Sequence, residues 1–155
     1  MSNPSIDPLM ALLGQAERER DAAKALLQQA MDHARAAQSQ ADQLVAYRGE
    51  YEARAREQFS QNSSVSILQC YQGFSSRLTQ AIEQQQQIAA HAEHKVGQAR
   101  EGLLEQEMRV ASVRKLLERR LTEQRLAADR RDQKQTDEFA ARAAWAQLQQ
   151  RSVAA

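Results

Sequence analysis

Apolar residues recur along this chain at alternating steps of three and four, and they do so in two separate stretches. From Leu68 the step meets Leu68, Tyr71, Ser75, Leu78, Ile82, Gln85, Ala89, Ala92, Val96, Ala99, Leu103, Gln106, Val110, Val113 and Leu117; twelve of the fifteen are apolar. From Leu9 it meets Leu9, Leu13, Ala16, Arg20, Ala23, Leu27, Ala30, Ala34, Ala37, Ala41, Leu44, Arg48, Tyr51, Ala55 and Gln58; again twelve are apolar, seven of them alanine. A stripe of period 3.5 kept over seven heptads is a coiled-coil seam, because that period holds one helix face against a neighbour. At 1.5 Å per residue, residues 67–117 alone would reach roughly 75 Å. A seam so rich in alanine lets helices approach closely but buries little area. At about 25 cal/mol per Å² it is expected to be only marginally stable without partners.

The breaks divide the chain. Met1 to Ile6 reads as a short frayed lead. Asp7-Pro8 reads as a helix start, since an aspartate accepts from the free N–H groups and proline suits the first turn. Ser60-Gln61-Asn62-Ser63-Ser64 is a run of small or polar residues with poor helix propensity. Ser66 with Gln69 three residues later reads as a capping box that restarts the helix. The sequence therefore predicts an all-α single domain with helices over 8–59 and 66–150 and a loop over 60–65. So short a loop makes the helices antiparallel neighbours, a long α-hairpin closed as a two-helix coiled coil. Centring the turn on Asn62 and Ser63 makes paired residue numbers sum to about 125. The first helix is then used up opposite residue 116 or so, and residues 118–150 of the second form an unpaired overhang. Gly14 and Gly49 each cost up to about 1 kcal/mol in a helix interior.

Composition agrees with long helices: glycine (5) and proline (2) are scarce and aromatics make up 5% of 155 residues. The formal net charge of +1 provides no field that selects nucleic acid or a membrane surface. The single cysteine, Cys70, excludes an internal disulfide framework and fits a reducing compartment. No apolar run approaches the ~18 residues of a membrane span, and the start has neither a basic nor an apolar leader segment. A soluble cytoplasmic protein is expected.

Little in the chain can carry chemistry. His91 and His94 stand one helical turn apart, but no further ligand of matching spacing joins them, so they read as solvated histidines. His33 is alone. Cys70 has no neighbouring histidine and reads as a half-buried structural thiol. There is no glycine-rich phosphate loop or nucleophile elbow, and a two-helix hairpin lacks a concave pocket. Catalysis and a cofactor are not expected. Residues 118–142 carry seven basic and six acidic side chains, Lys134 beside Asp137 and Glu138 among them. That near-neutral mixture supports a solvated helix and does not suit a polyanion, so no nucleic acid is expected.

One constellation remains. Gln40, Leu44, Tyr47 and Tyr51 are spaced 4, 3, 4, and so are Phe74, Leu78, Ala81 and Gln85. The turn places 40 opposite 85, 44 opposite 81, 47 opposite 78 and 51 opposite 74. Both quartets lie at one level near the closed end. They are either a wider core where the alanine seam ends or an apolar-aromatic face left partly open for a partner.

These residues resemble a known family. Leu44-Val-Ala-Tyr47-Arg48-Gly-Glu50-Tyr51 resembles the L-x-x-Y-R-x-E-Y segment of the FliJ family, the small soluble component of the flagellar type III export apparatus. Phe74-x-x-x-Leu78-x-x-Ala81-Ile82-x-x-Gln85 resembles its second segment. Arg130-Arg131-Asp132-Gln133-Lys134-x-x-Asp137-Glu138-x-Ala140-x-Arg142 resembles its R-R-E-Q-K-x-x-D-E-x-A-x-R signature. The opening Leu9-x-x-Leu12 with Glu17-x-x-x-Asp21-x-Ala23 fits as well. Asp132 stands where the motif has glutamate, and Gln85 where the family carries histidine, a departure that bears on affinity for the partner this segment is implied to meet.

The resemblance implies a non-enzymatic antiparallel coiled coil similar to part of the rotary stalk of F-type ATPases. It implies that the open end, with Glu17, Arg18, Arg20, Asp21, Arg130, Arg131, Lys134, Asp137 and Glu138, enters a hexameric export ATPase ring. The face of Gln40, Leu44, Tyr47, Tyr51, Phe74, Leu78, Ala81 and Gln85 would meet the cytoplasmic domain of the membrane export gate. Export chaperones are further implied partners. The implied place is the cytoplasmic face of the inner membrane, reached through partners only. The pattern by itself also fits a generic coiled-coil scaffold, or the equivalent stalk of a virulence-type secretion system.

Overall fold

The computed structural model describes residues 6–61 and 64–154. Two helices account for nearly all of them: α1, Asp7–Phe59, and α2, Val65–Val153. No strand occurs among the described residues. The fold is all-α, with the two long helices packed against each other.

The expected ends shift by a few residues. Ile6 is buried rather than frayed, and its carbonyl accepts the Met10 N–H at 2.9 Å; Met1 to Ser5 lie outside the described residues. Pro8 sits in the first turn, where its missing N–H costs nothing. The cap of α2 is Ser64, not Ser66. Ser64 Oγ accepts the Ile67 N–H at 3.4 Å and its carbonyl accepts the Leu68 N–H at 3.2 Å. A serine two residues nearer the turn satisfies the same orphan donors and starts the helix at Val65. At the far end α2 runs to Val153 rather than 150, because no breaker precedes it.

The seam is where the pattern puts it. Stepping from Leu9, every position is buried or half-buried except Gln58; stepping from Leu68, every position is so except Leu68 itself. Both exceptions flank the turn, where the chain leaves one helix axis for the other.

The chain divides into two units. In Arg18–Glu107, Ala34, Ala37, Ala89, Ala92 and Val96 form one buried cluster, with Leu27, Ala30 and Met31 packed on it. Within it Ala34 and Ala37 of α1 lie with Ala89, Ala92 and Val96 of α2, at the level the turn suggested. Four of the five buried members are alanine, which is what brings the helices close. Polar residues interrupt this seam. Gln85 Nε2 crosses it, donating to the Ala37 carbonyl and to Gln40 Oε1, both at 3.2 Å. Gln106 Oε1 is buried without a hydrogen-bond partner among the described residues. Arg20, stepped onto the same seam, turns its guanidinium to Asp21 Oδ1 at 3.1 Å.

The other unit joins Met1–Glu17 to Met108–Ala155. Ile6, Ala16, Val110 and Val113 are buried in it, and Arg114 Nη2 bridges to Glu17 Oε1 at 3.1 Å. Beyond Ala127 every described residue of α2 is exposed. The overhang expected over 118–150 thus retains half-buried positions only at Gln124 and Ala127. Its charges pair locally: Arg120 with Glu123 at 3.7 Å, and Gln133 donating to Asp137 at 3.2 Å.

Gly97 lies in the interior of α2 with no atom within 4 Å of a Cβ added there and no positive φ. Gly97→Ala removes backbone freedom from the unfolded chain at no steric cost. It is expected to stabilise by up to about 1 kcal/mol, raising the melting temperature by roughly 2–4 °C. A fall in thermal scans would place an unseen neighbour against that face.

Candidate functional site

The expected aromatic face forms in Arg18–Glu107. Tyr51 and Phe74, expected opposite one another, have ring centroids 4.6 Å apart. Tyr47 stacks on Tyr51 at 6.4 Å and meets Phe74 edge-on at 6.5 Å. At the polar margin Gln85 reaches Gln40, as the register required. Leu44 and Ala81 are half-buried, while Leu78 is buried and belongs to the core.

Two rings that the quartets did not include extend the face toward the turn. Tyr71 stacks on Tyr51 at 5.3 Å, and Phe59 meets Tyr71 edge-on at 5.2 Å. A continuous ladder of five rings results, Phe59–Tyr71–Tyr51–Phe74–Tyr47. Tyr71 was legible as a seam position. Phe59 was legible only as the last residue before the break, and its contact depends on how the turn folds back. Offset and edge-on pairs at these separations each add about 0.5–1.5 kcal/mol beyond area burial. The ladder therefore holds the closed end together where alanine gives out.

The ladder is also left partly open. Tyr47 is 47% exposed, and the other four rings are half-buried. Large rings held rigid by stacking yet open on one side lose little entropy on meeting a partner, which is the physical make-up of an interface anchor.

The charged residues do not form one cluster. Glu17 is held by Arg114, a partner the sequence did not single out. Arg130 lies sixteen residues further along α2, about 24 Å at helical rise. Arg130, Arg131, Lys134, Asp137 and Glu138 are all exposed. In the other unit Arg18 and Asp21 are exposed, and Arg20 is committed to Asp21.

Of the residues considered for chemistry, His33, His91 and His94 are exposed. No group of three or more metal-ligating side chains occurs among the described residues. Cys70 is exposed, not half-buried, because it falls one position off the seam residue Tyr71. No helix among the described residues is long and apolar enough to cross a membrane.

The family described as flagellar FliJ protein matches residues 5–149, a span that takes in the whole aromatic ladder and most of the exposed end of α2. The flagellar FliJ protein of Escherichia coli (strain K12) is 33% identical over 136 residues, covering 88% of this chain and 92% of that protein. The flagellar FliJ protein of Salmonella typhi is 32% identical over 129 residues, covering 83% and 88%. The likeness runs along both helices in order and leaves neither the closed end nor the overhang outside it: the chain belongs to the FliJ family of flagellar proteins.

Proposed function

We propose that this chain is a non-enzymatic coupling stalk of the flagellar type III protein export apparatus. In this reading the aromatic face docks the cytoplasmic domain of the export gate. The charged end, above all Arg130, Arg131, Lys134, Asp137 and Glu138, meets the hexameric export ATPase. Export chaperones are further partners, and attachment to the inner membrane is through the gate. The observation that carries the reading is the half-open ring ladder inside a chain of this family. A hairpin needing those rings only for its own stability would bury Tyr47, and instead leaves it 47% exposed.

That difference sets the experiment. Tyr47→Ala, Tyr51→Ala and Phe74→Ala are each expected to weaken binding to the purified cytoplasmic domain of the gate by about 1 kcal/mol or more. Tyr47→Ala is expected to lower the unfolding midpoint least of the three, since its ring is the most exposed of the five. Tyr51→Ala and Phe74→Ala lower the midpoint as well, because their rings are central. If Tyr47→Ala binds the gate as well as the wild type does, the docking role fails and the ladder is core alone.

A further inference from the structure

The side of the hairpin that Tyr47 and Phe74 share does not end at the ladder. Counting back from Tyr47 by sevens gives Gln40, His33 and Leu26 on α1; counting forward from Phe74 gives Ala81, Ile88 and Lys95 on α2. Residues seven apart on a helix lie two turns apart on one face. The two rows face each other at both ends. Tyr47 meets Phe74 edge-on at 6.5 Å, and His33 lines one groove together with Ile88 and Lys95. Ladder and groove belong to the same unit, Arg18–Glu107. Tyr47 and His33 are fourteen residues apart, about 21 Å at helical rise.

The groove is lined by donors. Gln84, Gln87 and His91 complete its walls, and the buried Ala92 lies at its floor. These side chains offer amide and imidazole N–H groups and one ammonium; none of those lining the groove is a carboxylate. His33, His91 and Lys95 are exposed, and Ile88 is 50% exposed. No ion pair holds Lys95 among the described residues. The carboxylates of the same stretch are placed elsewhere. Asp32 accepts from Gln28 and lies 3.8 Å from Arg35, and Asp42 accepts from Gln38. Arg35, Gln38 and Glu93 line the other groove of the hairpin, along with Arg100. Glu83 stands one turn from Gln87 and is not among the groove's walls. In a chain of 21 basic and 20 acidic side chains, this segregation leaves the positive charge of one groove unanswered.

We infer that the segment of the gate's cytoplasmic domain that meets the ring ladder continues along this side of the hairpin and is acidic where it enters the groove. An apolar side chain of that segment packs on Ile88. Its carboxylates accept from the N–H groups of His33 and His91 and from the Lys95 ammonium. The inference rests on the docking of the gate at the ladder proposed above, and extends that surface two heptads toward the open end.

The test compares Lys95→Glu, His33→Glu, Tyr47→Ala and a control, Lys24→Glu, in binding to the purified cytoplasmic domain of the gate at two ionic strengths. Lys24 stands seven residues before Met31, which lines the other groove, so its reversal changes the net charge equally on the opposite side. Lys95→Glu is expected to weaken binding at least about tenfold at low salt, and less at high salt. His33→Glu, acting from the other helix, is expected to weaken it in the same direction. Lys24→Glu is expected to change affinity less than about twofold. Lys95, His33 and Lys24 are all exposed, so their unfolding midpoints, followed by circular dichroism, are expected to match the wild type. If Tyr47→Ala weakens binding while Lys95→Glu behaves as Lys24→Glu does, the acidic segment is overturned and docking at the ladder stands. If Tyr47→Ala binds as the wild type does, docking at the ladder fails and this extension fails with it. A wild-type affinity indifferent to salt also overturns the inference.

Discussion

Ala37→Leu is expected to destabilise the hairpin by about 1–3 kcal/mol, measured by urea unfolding followed by circular dichroism. Ala37 is 4% exposed and packed among Ala34, Ala89, Ala92 and Val96. Alanine on both sides of the seam means there is no large side chain to move aside, so added methylenes must push the helix axes apart. That separation also stretches the bridge from Gln85 to the Ala37 carbonyl and Gln40, whose bonds span 3.2 Å. Two hydrogen bonds of about 1 kcal/mol each are then at stake besides the packing. Ala36→Leu, on the exposed side of the same turn, is the control and should stay within about 0.5 kcal/mol of the wild type. A clear gain in stability for Ala37→Leu would mean that the helices lie further apart than this cluster requires.

Ending the chain at Glu123 is expected to abolish binding to the export ATPase while leaving the gate interaction intact. The buried residues of the unit that contains the overhang, Ile6, Ala16, Val110 and Val113, all precede the cut, and so does the Glu17–Arg114 bridge. The described residues removed beyond Ala127 are exposed, so the loss of hairpin stability should be within about 1 kcal/mol. The segment removed holds Arg130, Arg131 and Lys134 beside Asp137 and Glu138. Charges of both signs on one solvated helix suit shallow ion pairs that re-form as a partner changes shape, and such contacts weaken with salt. Co-sedimentation with the ATPase at two ionic strengths checks this. If the shortened chain binds the ATPase with unchanged affinity and salt dependence, the overhang is not the contact.

The face near the turn was legible from spacing alone. Two quartets at 4, 3, 4, placed at one level by the turn, predicted both the Tyr51–Phe74 contact and the Gln40–Gln85 bond. What spacing could not give was which of the eight would be open. Leu78 and Tyr47 fall opposite each other in that scheme, yet one is core and the other nearly half exposed. The difference is side-chain length and direction at a given interhelical distance, and that distance is a property of the pair of helices. Cys70 failed in the same way: proximity to the seam suggested partial burial, but one residue off the seam is a rotation of 100° and turns the thiol to solvent.

By itself the sequence determined the two helices, their antiparallel pairing, the seam and the level at which the two quartets meet, because these follow from a one-dimensional period and a short polar break. The tertiary structure alone decided that Ser64 caps α2, that Phe59 and Tyr71 complete the ring ladder, that Arg114 holds Glu17, and that Gln106 Oε1 goes without a partner. Each of those depends on where a side chain from one helix ends relative to an atom of another segment, to within a hydrogen-bond length. Periodicity fixes the face on which a residue lies but not the reach of its side chain across the gap.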